Sequence, residues 1–268
     1  MSMDRRNALK NIIGMTTCAA GAAVVPNMVL AAEESWQFAP EDANTLAWTK
    51  VDPMEVAKIS YQEAVRTKGC MYQVFHALVT AQAQAGGPDA DKFAAIPTAL
   101  SMYGSGGIYG LGTVCGNNNA AGMFFKLISI NGNKPSSMEK VSAYYQNTML
   151  PYNDAEFLTA LGVSQADFDA NVVVQTKAES LLCHASLTRW CEASGKAVAT
   201  KGMRCQLLSA SIAYHIAEIL NQELETGDVS DLPGYENVSQ CVMCHTKAED
   251  SMGTSVMAGM ECDTCHGN

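Results

Sequence analysis

Two C-x-x-C-H motifs close the sequence, and they constrain its fold more than any other feature. In a c-type haem site the two thiols of such a motif form thioethers with the porphyrin, and the following His becomes an axial iron ligand. Two porphyrins must then be covered by the rest of a 268-residue chain. The sequence therefore predicts two covalent haem c groups, attached through Cys241, Cys244, Cys262 and Cys265, with His245 and His266 as proximal iron ligands.

A zinc ribbon is the competing interpretation of these cysteines. The spacing between Cys244 and Cys262 falls inside the window that is typical of two C-x-x-C pairs around zinc. A four-thiolate zinc site, however, has no use for a His after each pair. The chain has only 5 His, and two of them occupy that position. This placement favours haem over zinc.

The start of the chain resembles a twin-arginine export signal. Arg5 and Arg6 precede an apolar stretch over residues 12–30 and a small-residue cleavage site near Ala31-Ala32. We therefore expect a signal peptide over residues 1–32, a helical domain over 33–227 and a dihaem segment over 228–268, with a periplasmic protein and no membrane anchor after cleavage. The twin-arginine pathway exports folded proteins, which suggests a second, non-haem cofactor that is loaded before export.

Apolar residues recur at helical spacing through the body of the chain. The predicted fold is mainly α: a helical globular domain with a C-terminal, mostly irregular dihaem-binding segment. Alternation typical of strands is absent from the sequence. A glycine-rich stretch over residues 104–116 either ends a helix or lets the backbone approach a ligand closely. The predicted helices cover residues 52–84, 89–103, 120–130, 136–150, 153–161, 164–182 and 201–225.

The formal net charge of −10 restricts the possible partners. Such an acidic chain is a poor ligand for nucleic acid or anionic lipid. It suits basic redox partner proteins that are steered by electrostatic attraction, although solubility alone would also explain the charge.

Five further cysteines lie in the body of the chain: Cys70, Cys115, Cys183, Cys191 and Cys205. Exported proteins usually pair their cysteines in disulfides, but an odd number leaves at least one unpaired. An iron–sulfur cluster needs four thiolates. The residues alone leave both interpretations open.

Three segments around these cysteines resemble the redox-active protein family defined by the pattern C…GCAxxG…C…C. They are Gly69-Cys70, Gly106-Gly107 through Cys115-Gly116, and Cys183 through Cys191; the helix around Cys205 also resembles the last helix of that family. The resemblance implies that Cys70, Cys115, Cys183 and Cys191 bind an iron–sulfur cluster, with the 2Fe-2S type favoured. Cys205 can replace Cys191, because both lie in segments that match. The chain departs from the family at Asn117-Asn118-Asn119, where small residues are usual.

With two haem motifs and an export signal added, the chain is similar to the split-Soret cytochrome family. That resemblance implies a homodimer in which each subunit carries two stacked bis-histidine haems, and each haem takes one axial His from the other subunit. It also implies a non-haem iron–sulfur centre.

Two bis-histidine haems need two distal ligands from the three remaining His. We favour His184 and His215, with His76 close behind. Methionines between the haem motifs, among them Met252, Met257 and Met260, are rival ligands. The expected function is periplasmic electron transfer. The alternative is a multicentre reductase that acts on a small substrate, which would require an open iron coordination position.

Overall fold

The computed structural model describes residues 36–235, 241–257, 259–260 and 262. The contacts between Cα atoms separate residues 1–35 from one compact unit that begins at Trp36. The export signal, together with Cys265 and His266 of the second haem motif, lies outside the described residues.

The described residues confirm a mainly α fold. Two strands of two residues each, β1 (Leu46–Ala47) and β2 (Ile128–Ser129), pair in parallel, although the sequence shows no strand pattern. Three short 3-10 segments add to the helices, at Pro40–Asp42, Thr98–Gly104 and Val198–Thr200. The helices are α1 (Pro53–Tyr61), α2 (Glu63–Arg66), α3 (Cys70–Gln84), α4 (Ala90–Ala95), α5 (Gly116–Leu127), α6 (Met138–Asn147), α7 (Ala155–Ala160), α8 (Gln165–Asn171), α9 (Cys183–Ser194) and α10 (Gly202–Thr226).

Helix α10 forms the centre of the unit. At 25 residues it is about 37 Å long, because each residue adds about 1.5 Å. Its buried stripe includes Leu208, Ile212 and Ile216 and joins the main hydrophobic core, to which α3 and α5 also contribute. Gly227 ends the helix with φ of +70°, the left-handed conformation that glycine tolerates at a helix C-terminus.

Two long predicted helices are wrong in length, because turns interrupt them. Residues 52–84 form three helices, and the last begins after Gly69, whose φ of +103° suits glycine alone. Of residues 164–182, only α8 is helical; beyond it Thr176 pairs with Leu150 in an isolated bridge. The predicted 89–103 helix divides at Ile96-Pro97 into α4 and a 3-10 segment. Proline disfavours helical backbone in the residue before it.

In the sequence, Ser164 with Asp167 and Ser136 with Glu139 each resemble a capping box and predict a helix N-cap. The two predictions have different outcomes. Ser164 accepts a hydrogen bond from the backbone N–H of Asp167, so this cap is confirmed. The cap predicted at Ser136 with Glu139 is wrong, since α6 begins one residue later and Ser137 makes no side-chain cap. Instead Glu223 of α10, which is buried, accepts hydrogen bonds from the backbone N–H and hydroxyl of Ser136 and from the Ser137 hydroxyl.

Removing the Glu223 carboxylate should destabilise the fold. Glu223→Ala deletes a buried charged acceptor of three hydrogen bonds and should cost about 3 kcal/mol. In a chain of this size that loss lowers Tm by roughly 6–12 °C, measured by circular dichroism at 222 nm. Glu225→Ala is the matched control, because its ion pair with Lys50 is exposed and contributes below about 1 kcal/mol. Equal Tm values for the two variants would contradict the role of Glu223.

No helix among the described residues is long and apolar enough to span a bilayer. Residues 241–257, the described part of the haem segment, form turns and bends rather than regular elements. This agrees with the mostly irregular segment that the sequence predicts.

Candidate iron and haem sites

Four body cysteines lie in the first turn of four different helices. Cys70 and Cys183 are the first residues of α3 and α9, Cys115 is the N-cap of α5, and Cys205 lies in the first turn of α10. A helix N-terminus carries a partial positive charge and unpaired N–H groups, which stabilise a thiolate or another anion. The fold thus directs four helix N-termini at one place.

The four cysteines line one cavity of about 330 Å³. Tyr145 of α6 and Asn117 of α5 also line it. No three His, Cys, Asp or Glu side chains in the described part of the chain converge closely enough to hold a single metal ion. The four thiols lie around a cavity instead of around a single point, so they suit a metal centre that contains several atoms.

Three of the thiols interact in a line from Cys70 through Cys115 to Cys183. The hydrogen bond to Cys115, with burial, raises the pKa of Cys70 well above its usual range. The hydrogen bond to Cys183 raises the pKa of Cys115 to about 12, and the same contact lowers the pKa of Cys183. Burial raises the pKa of Cys205. Three of the four thiols therefore keep their protons at neutral pH unless a cation replaces them.

The backbone closes tightly around Cys70. Its thiol lies 3.9 Å from the Gly104 carbonyl oxygen, and the backbone N–H groups of Gly106 and Gly116 lower the pKa of Cys70 against the effect of burial. A Cβ on Gly116 would lie 2.5 Å from the Cys70 sulfur and 2.7 Å from the Gly104 carbonyl oxygen, so only glycine fits there. Backbone N–H donors of this kind set the potential of thiolate-bound iron.

The cavity is basic although the chain is acidic. Arg66, Lys68, Lys201 and Arg204 line it, and no Asp or Glu does. The Lys and Arg ion pairs among the described residues, those of Lys50, Lys58, Lys92 and Arg189, all lie elsewhere. Of the four only Arg204 is buried. Buried charges are normally paired, so its position beside three further cations and no carboxylate indicates an anionic occupant.

Cys191 does not join this set. It lies eight residues after Cys183 on α9, about 12 Å further along the helix, and does not line the cavity. The structure brings together Cys70, Cys115 and Cys183 of the predicted set and adds Cys205, the alternative that the sequence left open. None of the eight described cysteines forms a disulfide.

The first haem motif forms one turn that places its His on the same side as its cysteines. The N–H groups of Cys244 and His245 both donate to the carbonyl of Cys241. The His245 Nδ1 lies 3.0 Å from the Thr254 carbonyl oxygen. An Nδ1–H that donates to a carbonyl leaves Nε2 with its lone pair, as an iron ligand requires. Cys262 is the only described member of the second motif.

His184 is the most available of the three candidate distal ligands. It is exposed at the start of α9, and its backbone N–H donates to Gly112. No hydrogen bond of its imidazole occurs with any described residue. Its ring is therefore able to bind iron without first losing a partner.

His215 and His76 already have neighbours. His215 stacks on Tyr144 with 3.4 Å between ring centroids, and its Nδ1 lies 3.3 Å from a carboxylate oxygen of Glu218. That contact engages Nδ1 and leaves Nε2 without a hydrogen bond among the described residues, and a second-shell carboxylate plays the same part for a metal-bound His. Both nitrogens of His76 face threonine hydroxyls, at 2.9 Å and 3.4 Å. The geometry supports the order His184, His215, His76.

Large apolar side chains are exposed on and near the loop that accepts the His184 backbone hydrogen bond. In the loop before Cys115, Gly106 to Gly110 all have positive φ, including Ile108 and Tyr109, where this conformation is strained. The loop is hydrogen-bonded to the start of α9 and exposes large side chains; Tyr109 is 84% exposed and Leu111 75%. We call this the apolar loop surface: Leu100, Met102, Tyr103, Ile108, Tyr109, Leu111, Val114 and Leu182. Exposed apolar patches of this extent indicate a binding surface.

Sequence reasoning did not single out Arg204, Tyr145 or Asn117 as site residues. Arg204 sits on the buried stripe of α10, and a charged residue at such a position is a signal that could have been used. Tyr145 and Asn117 carry no comparable signal, because their place in the cavity depends on how α5 and α6 pack.

The chain is similar to split-Soret cytochrome c from Desulfovibrio desulfuricans, a curated protein. The two are 29% identical over 227 residues, which is 81% of this chain and 76% of the relative. The solved structure described as a novel iron centre in the split-Soret cytochrome c from that organism matches with a TM-score of 0.64 and 27% identity, covering 79% of this chain and 88% of the other. No protein-family model matches the chain.

Proposed function

We propose, because this chain is a relative of split-Soret cytochrome c, that it transfers electrons in the periplasm through two covalent haems and an iron–sulfur centre. The observation that carries the proposal is the basic cavity in which four cysteines meet at four helix N-termini. The first haem motif, with His245 already in the ligand tautomer, supports the haem part. The solved structure that matches this chain is described as containing a novel iron centre.

The cysteines of the cavity fit an iron–sulfur centre. Cys70, Cys115, Cys183 and Cys205 would bind the irons, and the N–H groups of Gly106 and Gly116 would donate to the Cys70 thiolate. A bound cluster supplies one-electron reduction and oxidation. The unpaired cations of the cavity offset the negative charge of thiolates and sulfide.

The haems would be held by His245 and His266 as proximal ligands, and by His184 and His215 as distal ligands. A haem iron with two imidazole ligands changes oxidation state without changing its ligands. Such iron has no open position for a substrate, which favours electron transfer over the reductase alternative.

We further propose a homodimer in which a haem of one subunit binds His184 of the other. Lys140 donates to the Leu232 carbonyl, so the tail leaves the body beside the start of α6, the end that Glu223 caps. Along α10, about 27 Å separate Glu223 from Cys205, which lies at the cavity end with His184. Residues 235–241 span at most about 25 Å, so His184 of the same chain lies near the limit of what the first haem can reach.

His215 lies only about 12 Å from Glu223 along the helix, within that reach. The apolar loop surface near His184 would then pack against a porphyrin face carried by the partner. The segment that connects the second haem motif to the body is longer, so its length does not decide which subunit supplies the distal His of that haem.

Mass spectrometry of the mature chain tests the haem part of the proposal. We expect the polypeptide mass plus two haems, and the variants Cys244→Ala and Cys265→Ala should each lower the haem occupancy of their own motif only. A mass that matches bound zinc or bare polypeptide would contradict covalent haem. Carbon monoxide that binds the reduced protein would favour the reductase instead, because it requires an open iron position.

A further inference from the structure

Arg204 is a buried cation with no carboxylate partner in the described structure. Only 2% of the residue is exposed. One terminal nitrogen of its guanidinium donates to the hydroxyl of Ser186 at 2.9 Å, while its Nε has no hydrogen-bond partner. It lines the same cavity as Cys70, Cys115, Cys183 and Cys205.

Asn117 has a second unpartnered donor at the same cavity. The residue is fully buried, and its Oδ1 accepts from the Ser209 hydroxyl at 2.8 Å. Its Nδ2 has no partner. This position is where the chain departs from the small residues that are usual after the second cysteine of the pattern.

Two buried N–H donors that line an anionic site are expected to have acceptors there. An unpartnered buried donor is costly, and the thiolates and inorganic sulfides of an iron–sulfur centre are anionic acceptors. Tyr145 also lines the cavity, and its buried hydroxyl is a third polar group without a hydrogen-bond partner among the described residues.

We propose that Arg204 and Asn117 are direct donors to the sulfur atoms of the iron–sulfur centre and raise its reduction potential. The proposal rests on the proposed function, since it requires that centre to be present. One-electron reduction adds a negative charge to the centre. A cation and an N–H donor at its sulfurs stabilise that reduced form more than the oxidised form.

The test is a redox titration of the anaerobically purified holoprotein, followed by electron paramagnetic resonance at low temperature. Arg204→Gln keeps much of the side-chain volume and removes the charge, so the potential of the centre should fall or the centre should be lost. Arg204→Lys keeps the charge and should shift the potential less. Ser186→Ala removes the shorter of the two hydrogen bonds between Arg204 and α9, keeps the one to the Ser186 carbonyl and leaves the charge. If Arg204 acted only through its hydroxyl contact to α9, this variant would behave like Arg204→Gln.

A second pair of variants covers the case in which Arg204→Gln fails to fold. Asn117→Ala and Asn118→Ala are neighbours on α5, and both side chains are buried with unpartnered amide nitrogens. Only Asn117 lines the cavity. We expect a lower potential in Asn117→Ala and an unchanged one in Asn118→Ala.

Equal potentials in wild type, Arg204→Gln and Asn117→Ala would overturn the proposal while leaving the iron–sulfur centre in place. If Arg204→Gln does not fold, equal potentials in wild type and Asn117→Ala decide against it. Absence of non-haem iron and labile sulfide from the wild-type protein would instead refute the proposed function. The two failures are therefore distinguishable.

Discussion

Cys205→Ala is expected to abolish the iron–sulfur centre, whereas Cys191→Ala keeps it. Cys205 lies in the first turn of α10 at the cavity, and Cys191 lies about 12 Å along α9 from Cys183. Loss of a second-shell partner already costs 10–100-fold in metal affinity, so loss of a thiolate ligand should cost at least about 100-fold. Non-haem iron and labile sulfide should disappear from the Cys205→Ala protein.

The haem content is the internal control for this pair of variants. Both should retain two haems, because neither cysteine belongs to a C-x-x-C-H motif. Cys70→Ala and Cys115→Ala should behave like Cys205→Ala. A centre that survives in Cys205→Ala and vanishes in Cys191→Ala would reverse the assignment. A Cys70–Cys115 disulfide in anaerobically isolated protein would contradict the site itself.

His184→Ala is expected to separate the dimer and change one haem of each subunit. A two-fold dimer with one such bond in each direction loses two iron–imidazole bonds from a single substitution. A free energy of about 1.4 kcal/mol corresponds to a factor of ten in an equilibrium constant. If each lost bond contributed only that much, the loss of both would raise the dissociation constant of the dimer by about 100-fold. Sedimentation at micromolar concentration should show dimeric wild type and monomeric variant. The affected haem should become high-spin.

The absorption spectrum provides an independent measure of the same arrangement. Adjacent porphyrins that stack couple their electronic transitions, so the Soret band of the reduced wild type should be split. His76→Ala is the matched control, because both its ring nitrogens face threonine hydroxyls; it should leave the dimer and the band unchanged. A wild-type monomer with an unsplit Soret band would refute the cross-subunit ligands.

The tyrosine and leucine of the apolar loop surface should matter to the dimer as well. They are strongly exposed in the single chain, at 84% for Tyr109 and 75% for Leu111. Apolar area contributes about 25 cal/mol per Å² when it is buried. In the proposed dimer this surface would therefore be a second source of stability beside the iron–imidazole bonds.

The helical class of the fold was predictable, but the ends of several helices were not. Periodicity shows that residues 52–84 are helical without showing the turn before Gly69, because that break depends on a single positive φ. After α8, a run of three valines continues the apolar pattern although the chain there pairs Thr176 with Leu150. The spacing of apolar residues indicates which residues are buried. A buried segment without regular secondary structure can show the same spacing as a helix.

The candidate site was predictable in part. The C-x-x-C-H spacing predicts the haem attachment residues without any structure, since all members of a motif are close in sequence. The choice of Cys205 over Cys191 depends on where α10 begins, and Lys201 before it makes no side-chain cap that would reveal the start. Distal His ligands cannot be ranked from sequence, because their availability depends on neighbours such as Tyr144 and Thr98.

The meeting of four helix N-termini also bears on the order of assembly. The four cysteines are spread from Cys70 to Cys205, so no short part of the chain contains the cavity. Contacts between such distant residues form late in folding, after α3, α5, α9 and α10 have packed. We therefore expect the iron–sulfur centre to enter a nearly complete domain, whereas each haem motif is available in any unfolded chain. The two kinds of cofactor can then be added in different compartments, by different machinery, without competing for the same cysteines.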